Sequence, residues 1–260
     1  MSQKNLGIIG GGQLGSMLSQ AAKKLNIRTT IYSDDIDAPA QNFCDEFICG
    51  EYHNKKKVLE FVSKVDVITY EFENIPYETL NEMNKLKSVL PKPSVNRLIQ
   101  HRIAEKDFIN KLNIRTTRYV SIEKKTDIET LSDFLPGILK TTTMGYDGKG
   151  QYPLKKIEDI NTLSIDFSKE YILEKLVKLK KEISVIVSRF GINNFEIYEP
   201  IENTHQDQIL KHSMIPAEIS KQIADQSKDW ATRIAEELKY IGTLCVEFFI
   251  DRNENLYVNE

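Results

Sequence analysis

The sequence predicts α/β architecture followed by α+β architecture: an open, mostly parallel N-terminal sheet over residues 1–95, then a second domain over 96–260. Three observations predict it. Strand and helix signals alternate through the first 95 residues, the alternation stops at the Pro91-Lys-Pro93 break, and short strands dominate the remainder of the chain, which ends in a hairpin. Alternation of this kind places helices on both faces of a parallel sheet. A chain of 260 residues is long enough for two modest domains with their own cores.

Leu6–Ile9 is the short apolar run of a buried strand, and it opens into Gly10-x-Gly12-x-x-Gly15, the spacing of a dinucleotide-binding turn. From Gln13 onward Leu14, Met17, Leu18, Ala21, Ala22 and Leu25 form one stripe of a 3.6-residue period, so this segment reads as a helix. Thr29–Ser33 reads as the second strand, with Asp34 at its end, where an NAD domain places its ribose-binding carboxylate. Glu46–Gly50 is a third strand, Lys55–Ser63 a helix, and Val65–Phe72 a buried strand. Pro76 suits the first turn of a helix that runs to about Lys87, and Ser88–Leu90 is a last short strand. Ligands of such sheets gather at the carboxyl ends of the strands. Those ends hold the glycine turn and Glu71-Phe-Glu73-Asn74.

After Pro93 the pattern changes. Ser94–Leu112 carries helix signals, and strands are expected at 118–122, 137–141, 171–177, 183–190 and 196–200. Ala217–Lys239 reads as a long amphipathic helix, with Ile219, Ile223, Trp230, Ile234 and Leu238 along one side. Residues 243–251 and 255–260 then form a hairpin.

Composition narrows the function. Apolar content of 40% and charged content of 28% are ordinary for a globular protein, and a net charge of −3 gives no electrostatic reason to expect nucleic acid or an anionic membrane as partner. Cys44, Cys49 and Cys245 make no Cys-x-x-Cys pair, and with four scattered histidines there is no zinc signature. Sparse thiols fit a reducing compartment. No signal peptide and no 18-residue apolar run is visible, which predicts a cytoplasmic protein without a membrane span.

The segment 137–151, GILKTTTMGYDGKGQ, carries the chemistry. A strand delivers Lys140, and three glycines in six residues free the following backbone to fold over a ligand and aim its amide hydrogens at phosphate oxygens. Lys140 and Lys149 add compact positive charges. Asp-Gly-Lys-Gly also makes a serviceable hairpin turn, so this segment alone leaves both readings open. Tyr171–Val177 resolves the choice: a strand leading into a linker can present an apolar slot for adenine, and Glu182 just beyond it suits two ribose hydroxyls. On this reading the lysines of 175–181 border a polyphosphate.

The terminal hairpin supplies the third piece. With Asn253-Glu254 as a two-residue turn, cross-strand partners sum to 507 and Glu247 faces Glu260. Two like charges about 5 Å apart at an effective dielectric near 20 repel by roughly 3 kcal/mol. A hard divalent cation such as Mg²⁺, bound by both carboxylates and nucleotide phosphates, removes the conflict; a partly exposed edge hairpin whose acids splay apart is the alternative.

Taken in order, the strand lysine, GYDGKGQ, Glu-Lys-Leu-Val, Glu182 and the two closing carboxylates resemble the ATP-grasp superfamily. Within it the chain resembles the N5-carboxyaminoimidazole ribonucleotide synthetase family, through GIIGGGQLGSML, YEFENIP, HRIAEKDF, MGYDGKGQ, ENTHQDQIL and the final VNE. The likeness runs through all 260 residues. It implies a Rossmann-like pre-ATP-grasp domain over 1–95 and an ATP-grasp domain over 96–260 with a lid at about 115–175. ATP and Mg²⁺ are the implied cofactors, bicarbonate and aminoimidazole ribonucleotide the implied substrates, and a homodimer the implied assembly. Arg102, Lys140 and Gly145, Tyr146, Asp147, Gly148, Lys149, Gly150 and Gln151 would hold the phosphates. Glu174, Lys175, Leu176 and Val177 would frame adenine, with Glu182 on the ribose and His205 in a further nucleotide-contacting segment. Glu247 and Glu260 would bind the metal, with Asn259 beside them. Gln13, Glu73, Tyr146 and Asp147 are the implied ribonucleotide contacts, and Lys140, Tyr146, Asp147 and Lys149 the catalytic set.

The family pattern continues past Glu260 with a loop rich in Arg, His and Asn and a further small domain, so these 260 residues are expected to keep nucleotide binding and to carboxylate inefficiently. Two rivals predict different chemistry. A formate-using glycinamide ribonucleotide enzyme shares the ATP-grasp order, but GYDGKGQ and YEFENIP argue against it. An NAD-dependent oxidoreductase accounts for the glycine turn and Asp34 and leaves 137–260 unexplained.

Overall fold

The structure, a computed structural model, describes residues 3–143, 150–206 and 209–260. It divides into two compact units, one of Met1–Arg97 with Tyr240–Gly242 and one of Leu98–Lys239 with Thr243–Glu260.

In the first unit β1 (Asn5–Ile9), α1 (Gln13–Lys24), β2 (Arg28–Ser33), β3 (Glu46–Cys49), α2 (Lys55–Lys64), β4 (Val67–Tyr70) and α3 (Tyr77–Leu86) alternate as expected. The strands form a parallel sheet in the order β3-β2-β1-β4. Its core gathers Ile9, Tyr32, Phe61, Ile68, Leu80 and Met83, all fully buried. Asn54 caps α2 by accepting from the Lys57 N–H, as a cap residue should. Two details differ from the sequence reading. Ser88–Leu90 makes only a single bridge, Ile68 to Val89, because Pro91 has no N–H with which to extend the ladder. The apolar stripe of α1 does not face the sheet: Gly15, Ser16, Ser19 and Ala22 are its buried residues. A Cβ on Gly15 would lie 2.8 Å from the Gly10 carbonyl oxygen, so the turn brings this helix too close for large side chains on that face.

The second unit begins around α4 (Pro93–Ile99) and α5 (Arg102–Lys111), which divide the helical segment into two. It then runs through β5 (Tyr119–Ile122), α6 (Lys125–Glu129), β6 (Gly137–Thr141), β7 (Gln151–Leu154) and β8 (Tyr171–Lys175). These strands form an antiparallel sheet in the order β5-β8-β6-β7 over a core of Ile122, Leu139, Leu154, Ile160 and Leu173. A second sheet follows, built from β9 (Leu179–Arg189), β10 (Phe195–Ile197), β11 (Ile201–Gln206), β12 (Ile209–Met214), β13 (Gly242–Asp251) and β14 (Leu256–Val258). Its order is β12-β11-β9-β13-β14, with β10 also on β9. The helix α7 (Lys221–Glu237), capped by Ser220, buries Ile223, Trp230 and Ile234.

The closing hairpin is one residue out of the expected register. Phe248 pairs with Val258 and Ile250 with Leu256, so partners sum to 506. Asp251 causes the difference: its Oδ1 accepts from the N–H groups of Asn253 and Asn255, both at 2.8 Å, and organises a three-residue loop ending in Glu254 at φ 62°.

Candidate active site

A buried charge cluster lies at the centre of the second unit. Lys140 on β6 and Glu174 on β8 are diagonal neighbours, since Ile138 pairs with Glu174 and Lys140 with Ile172. The Lys140 Nζ donates to Glu174 Oε2 at 3.1 Å, and the Thr117 hydroxyl donates to the same oxygen at 3.1 Å. From α5 a second lysine enters: Lys106 Nζ lies 3.6 Å from that oxygen and donates to Thr117 Oγ1 and to the Asn259 carbonyl, both at 3.3 Å. Side-chain exposure is 2% for Lys106, 9% for Lys140 and 4% for Glu174. Burial alone would push the Glu174 carboxyl up, but Lys106, Lys140 and the Thr117 hydroxyl outweigh it and hold the group below the usual range. Burial pulls the Lys106 ammonium down, against the attraction of Glu174. Glu174 Oε1 is buried and has no hydrogen-bond partner among the described residues.

The acidic pair adjoins this cluster. Glu247 donates its N–H to the Glu260 carbonyl and accepts from the Asn259 N–H, each at 2.8 Å, so two residues oppose one as in a β-bulge. The bulge compensates for the shifted register and keeps the two acids together. Burial, then the Glu260 charge, raises the Glu247 carboxyl above its ordinary range, partly countered by His205. Arg102, the first residue of α5, donates through Nη1 to Glu260 Oε2 at 3.3 Å, and its backbone N–H donates to the Thr142 carbonyl at 2.9 Å. Glu105, one turn along, is partly exposed as a residue, yet its carboxyl group is enclosed; burial and the Glu260 charge push it well up. Among the described residues no three His, Cys, Asp or Glu side chains converge into a metal cage. Two carboxylates still fit Mg²⁺, which keeps several waters and takes the rest of its shell from phosphates.

Glu182 on β9 and His205 on β11 also meet, with Nδ1 2.7 Å from Glu182 Oε2 at an angle poor for a hydrogen bond. The linker after β8 is fixed by backbone bonds from Leu176 N–H to Pro136 and from Arg252 N–H to Lys178. Three lysines of the basic run 175–181 have partners among the described residues. Lys175 donates to the Asp133 carbonyl, Lys180 pairs with Glu254, and Lys181 sits 2.7 Å from Glu202, so these three charges are drawn to different elements. Gly145, Tyr146, Asp147, Gly148 and Lys149 lie outside the described residues. Gly150, at φ 71°, accepts from the Thr141 N–H, and Gln151 pairs with Lys140. A cavity of about 710 Å³ opens beside Thr143 and Gly150, lined also by His101, Lys169 and Glu170. Among the described residues, Gly150 is the expected site residue that lines it.

In the first unit Gln13 and Glu73 are exposed. The neighbouring acid Glu71 occupies the glycine turn, its Oε1 accepting from the Gly12 N–H at 2.9 Å. Gly10 stands at φ 103°, and a Cβ there would lie 2.6 Å from that oxygen, so glycine is required. Burial raises the Glu71 carboxyl. Reading the sequence did not single out Lys106, Glu105, Thr117 or this contact of Glu71. Arg102, Glu105 and Lys106 stand at i, i+3 and i+4, one face of a helix, and that spacing was the available signal.

Comparison with known proteins accounts for both units. Residues 107–260 match the ATP-grasp domain, and residues 3–100 match the ribonucleotide synthetase preATP-grasp domain. The chain is 35% identical to N5-carboxyaminoimidazole ribonucleotide synthase of Staphylococcus aureus (strain COL) over 258 residues, 98% of this chain and 68% of that protein. An ADP complex of N5-carboxyaminoimidazole ribonucleotide synthetase superimposes with a TM-score of 0.94 at 34% identity, covering 100% of this chain and 70% of the other. The Staphylococcus aureus synthetase complexed with ADP gives a TM-score of 0.90 at 34% identity, covering 99% and 69%. No helix among the described residues is long and apolar enough to cross a membrane.

Proposed function

This chain belongs to the N5-carboxyaminoimidazole ribonucleotide synthase family of ATP-grasp proteins, and on that premise we propose how its residues serve the ATP-dependent carboxylation of aminoimidazole ribonucleotide in purine synthesis. The observation that carries the proposal is the Lys140–Glu174–Lys106 cluster with its unpartnered Glu174 Oε1. A buried, ionised carboxylate with one oxygen held by cations and the other free is an acceptor prepared for a donor such as the adenine amine. Lys140 then reaches the phosphates as a fixed positive charge.

In the reaction a bicarbonate oxygen attacks the γ-phosphorus, the bond to the β-phosphate oxygen breaks, and ADP departs. The exocyclic amine then attacks the carboxyl carbon of carboxyphosphate, phosphate leaves, and the nitrogen gives up a proton. Lys140, Lys149 and the Gly145–Gln151 segment offset the charge of the transferring phosphoryl group and exclude water, with Arg102 at the same phosphates. Glu174–Val177 frame adenine, Glu182 takes the ribose, and His205 orients Glu182. Glu247 and Glu260 would hold Mg²⁺ beside Asn259, a role supported by the burial and the nearby Glu260 charge that raise the Glu247 carboxyl. When bound, the metal supplies positive charge to the phosphate oxygens. Gln13, Glu73, Tyr146 and Asp147 contact the ribonucleotide, and the protein works as a homodimer.

ADP release tests this reading. It should require bicarbonate and aminoimidazole ribonucleotide together, and release supported instead by formate and glycinamide ribonucleotide would favour the formate-using rival. Lys140→Ala should weaken ATP binding roughly 10- to 100-fold, the scale of a hydrogen bond to a charged group, while the far-ultraviolet circular dichroism stays unchanged.

A further inference from the structure

The three motif glycines of the first unit surround a single atom. A Cβ on Gly10, Gly12 or Gly15 would lie 2.6, 3.2 or 3.6 Å from Glu71 Oε1. The Gly12 N–H donates to the same oxygen at 2.9 Å. Gly11, between them, answers to a different neighbour, since a Cβ there would strike the Ala38 Cβ at 2.5 Å. In dinucleotide-binding folds these glycines let a pyrophosphate approach the helix N-terminus. Here they admit a side chain that arrives from the end of β4.

Helix α1 calls for an anion at this point. Its N-cap is Gly12, which has no side chain to accept from the first turn, and no acid lies in that turn. At the other end Lys23 and Lys24 sit in the last turn, where positive charge suits the helix dipole. The matching negative charge comes from Glu71, 59 positions along the chain. Its oxygen stands where a phosphate oxygen would have to stand, so a second anion enters only by displacing it.

We propose that Glu71 is the resident anion of the glycine turn and a specificity-determining residue: it caps α1 from a distance and denies the turn to phosphate groups. It separates this turn from the dinucleotide-binding turn whose spacing it shares. The glycines are then required by the carboxylate they enclose, with no dinucleotide needed to explain them. This also accounts for a turn of that type in a chain whose ATP-grasp match begins only at residue 107.

Anion rescue of the whole chain tests it. Glu71→Ala vacates the turn and should lower the melting temperature. Sodium formate, titrated at constant ionic strength, should then recover at least half of that loss and saturate, and inorganic phosphate should do the same. Neither anion should stabilise the wild type or Glu71→Gln to that extent, because in both the turn stays filled. In nitrogen-15 spectra of Glu71→Ala the Gly12 amide should shift with the same midpoint, which locates the anion. Glu71→Ser, a second truncation, should respond as Glu71→Ala does. Melting temperatures that rise no more in the truncations than in the wild type overturn the proposal, and so does a Gly12 resonance that stays fixed. Recovery by formate without recovery by phosphate overturns the exclusion of phosphate and leaves Glu71 as a cap alone.

Discussion

Two glutamates at the C-terminal ends of strands, one in each unit, meet burial in opposite ways. Glu71, just after β4, is held by one backbone N–H from Gly12, and its carboxyl is raised. Glu174, at the end of β8, is held by two ammonium groups and a hydroxyl, and its carboxyl is lowered although it is the more deeply buried of the two. Burial has the same sign in both places. The cations within reach decide the outcome. A carboxylate whose charged form is favoured by neighbouring cations can hold Lys140 in place, whereas one that is raised toward neutrality is more easily protonated.

The largest effect should come from breaking the second site. Glu174→Ala leaves two lysines buried without their anion and should cost about 3–5 kcal/mol in urea unfolding. Glu71→Ala removes a single hydrogen bond and should cost about 1 kcal/mol. Equal losses would show that the lysines do not distinguish the two acids. Next in size is Glu247→Gln. It removes one metal ligand, so half-maximal ATP turnover should need at least roughly tenfold more Mg²⁺, while the metal-free protein melts higher because one repelling charge is gone. A lower melting temperature would mean that Glu247 is stabilising as it stands.

Glu105 sharpens the comparison through pH. Its carboxyl is pushed up to about 8 from an ordinary value of 4.5. A raised carboxyl contributes stability that is complete below the ordinary value and lost as pH rises through the folded-state value. Glu105→Gln should therefore raise the melting temperature more at pH 8.5 than at pH 5, and calorimetry at the two values checks it. The smallest effect is expected of Glu71→Gln. The amide oxygen can still accept from Gly12, so stability at pH 7 should change by less than about 0.5 kcal/mol.

The sequence-based reading of architecture reaches as far as local patterns reach. The parallel first sheet follows from alternating signals, and β6 was expected with the bounds it has, Gly137–Thr141. Helices α1 and α7 show the limit. Both have a clean apolar stripe, yet α7 buries Trp230 and Ile234 while α1 exposes Leu14 and Met17. Periodicity reports that a stripe exists and is silent on what it faces. Strands β7, β11 and β12 escaped notice because their residues lack apolar alternation: β12 is exposed along its whole length and β11 carries Glu202, Asn203 and His205. The hairpin register was missed through the Asp251 side chain, whose grip on two backbone N–H groups lengthens the loop by one residue. At the site, the pairing of Lys140 with Glu174 spans 34 residues and depends on strand order, which no local signal encodes.

The contact between Lys106 and the Asn259 carbonyl joins residues 153 positions apart. At ribosomal speeds of about 5–20 residues per second, the lysine emerges about 8–30 s before its acceptor exists. Val258, which donates to the Arg115 carbonyl, arrives equally late. The buried lysine must therefore wait, charged, for β14 and the residue that follows it. Nucleotide retained on a stalled nascent chain would report the moment at which that strand docks.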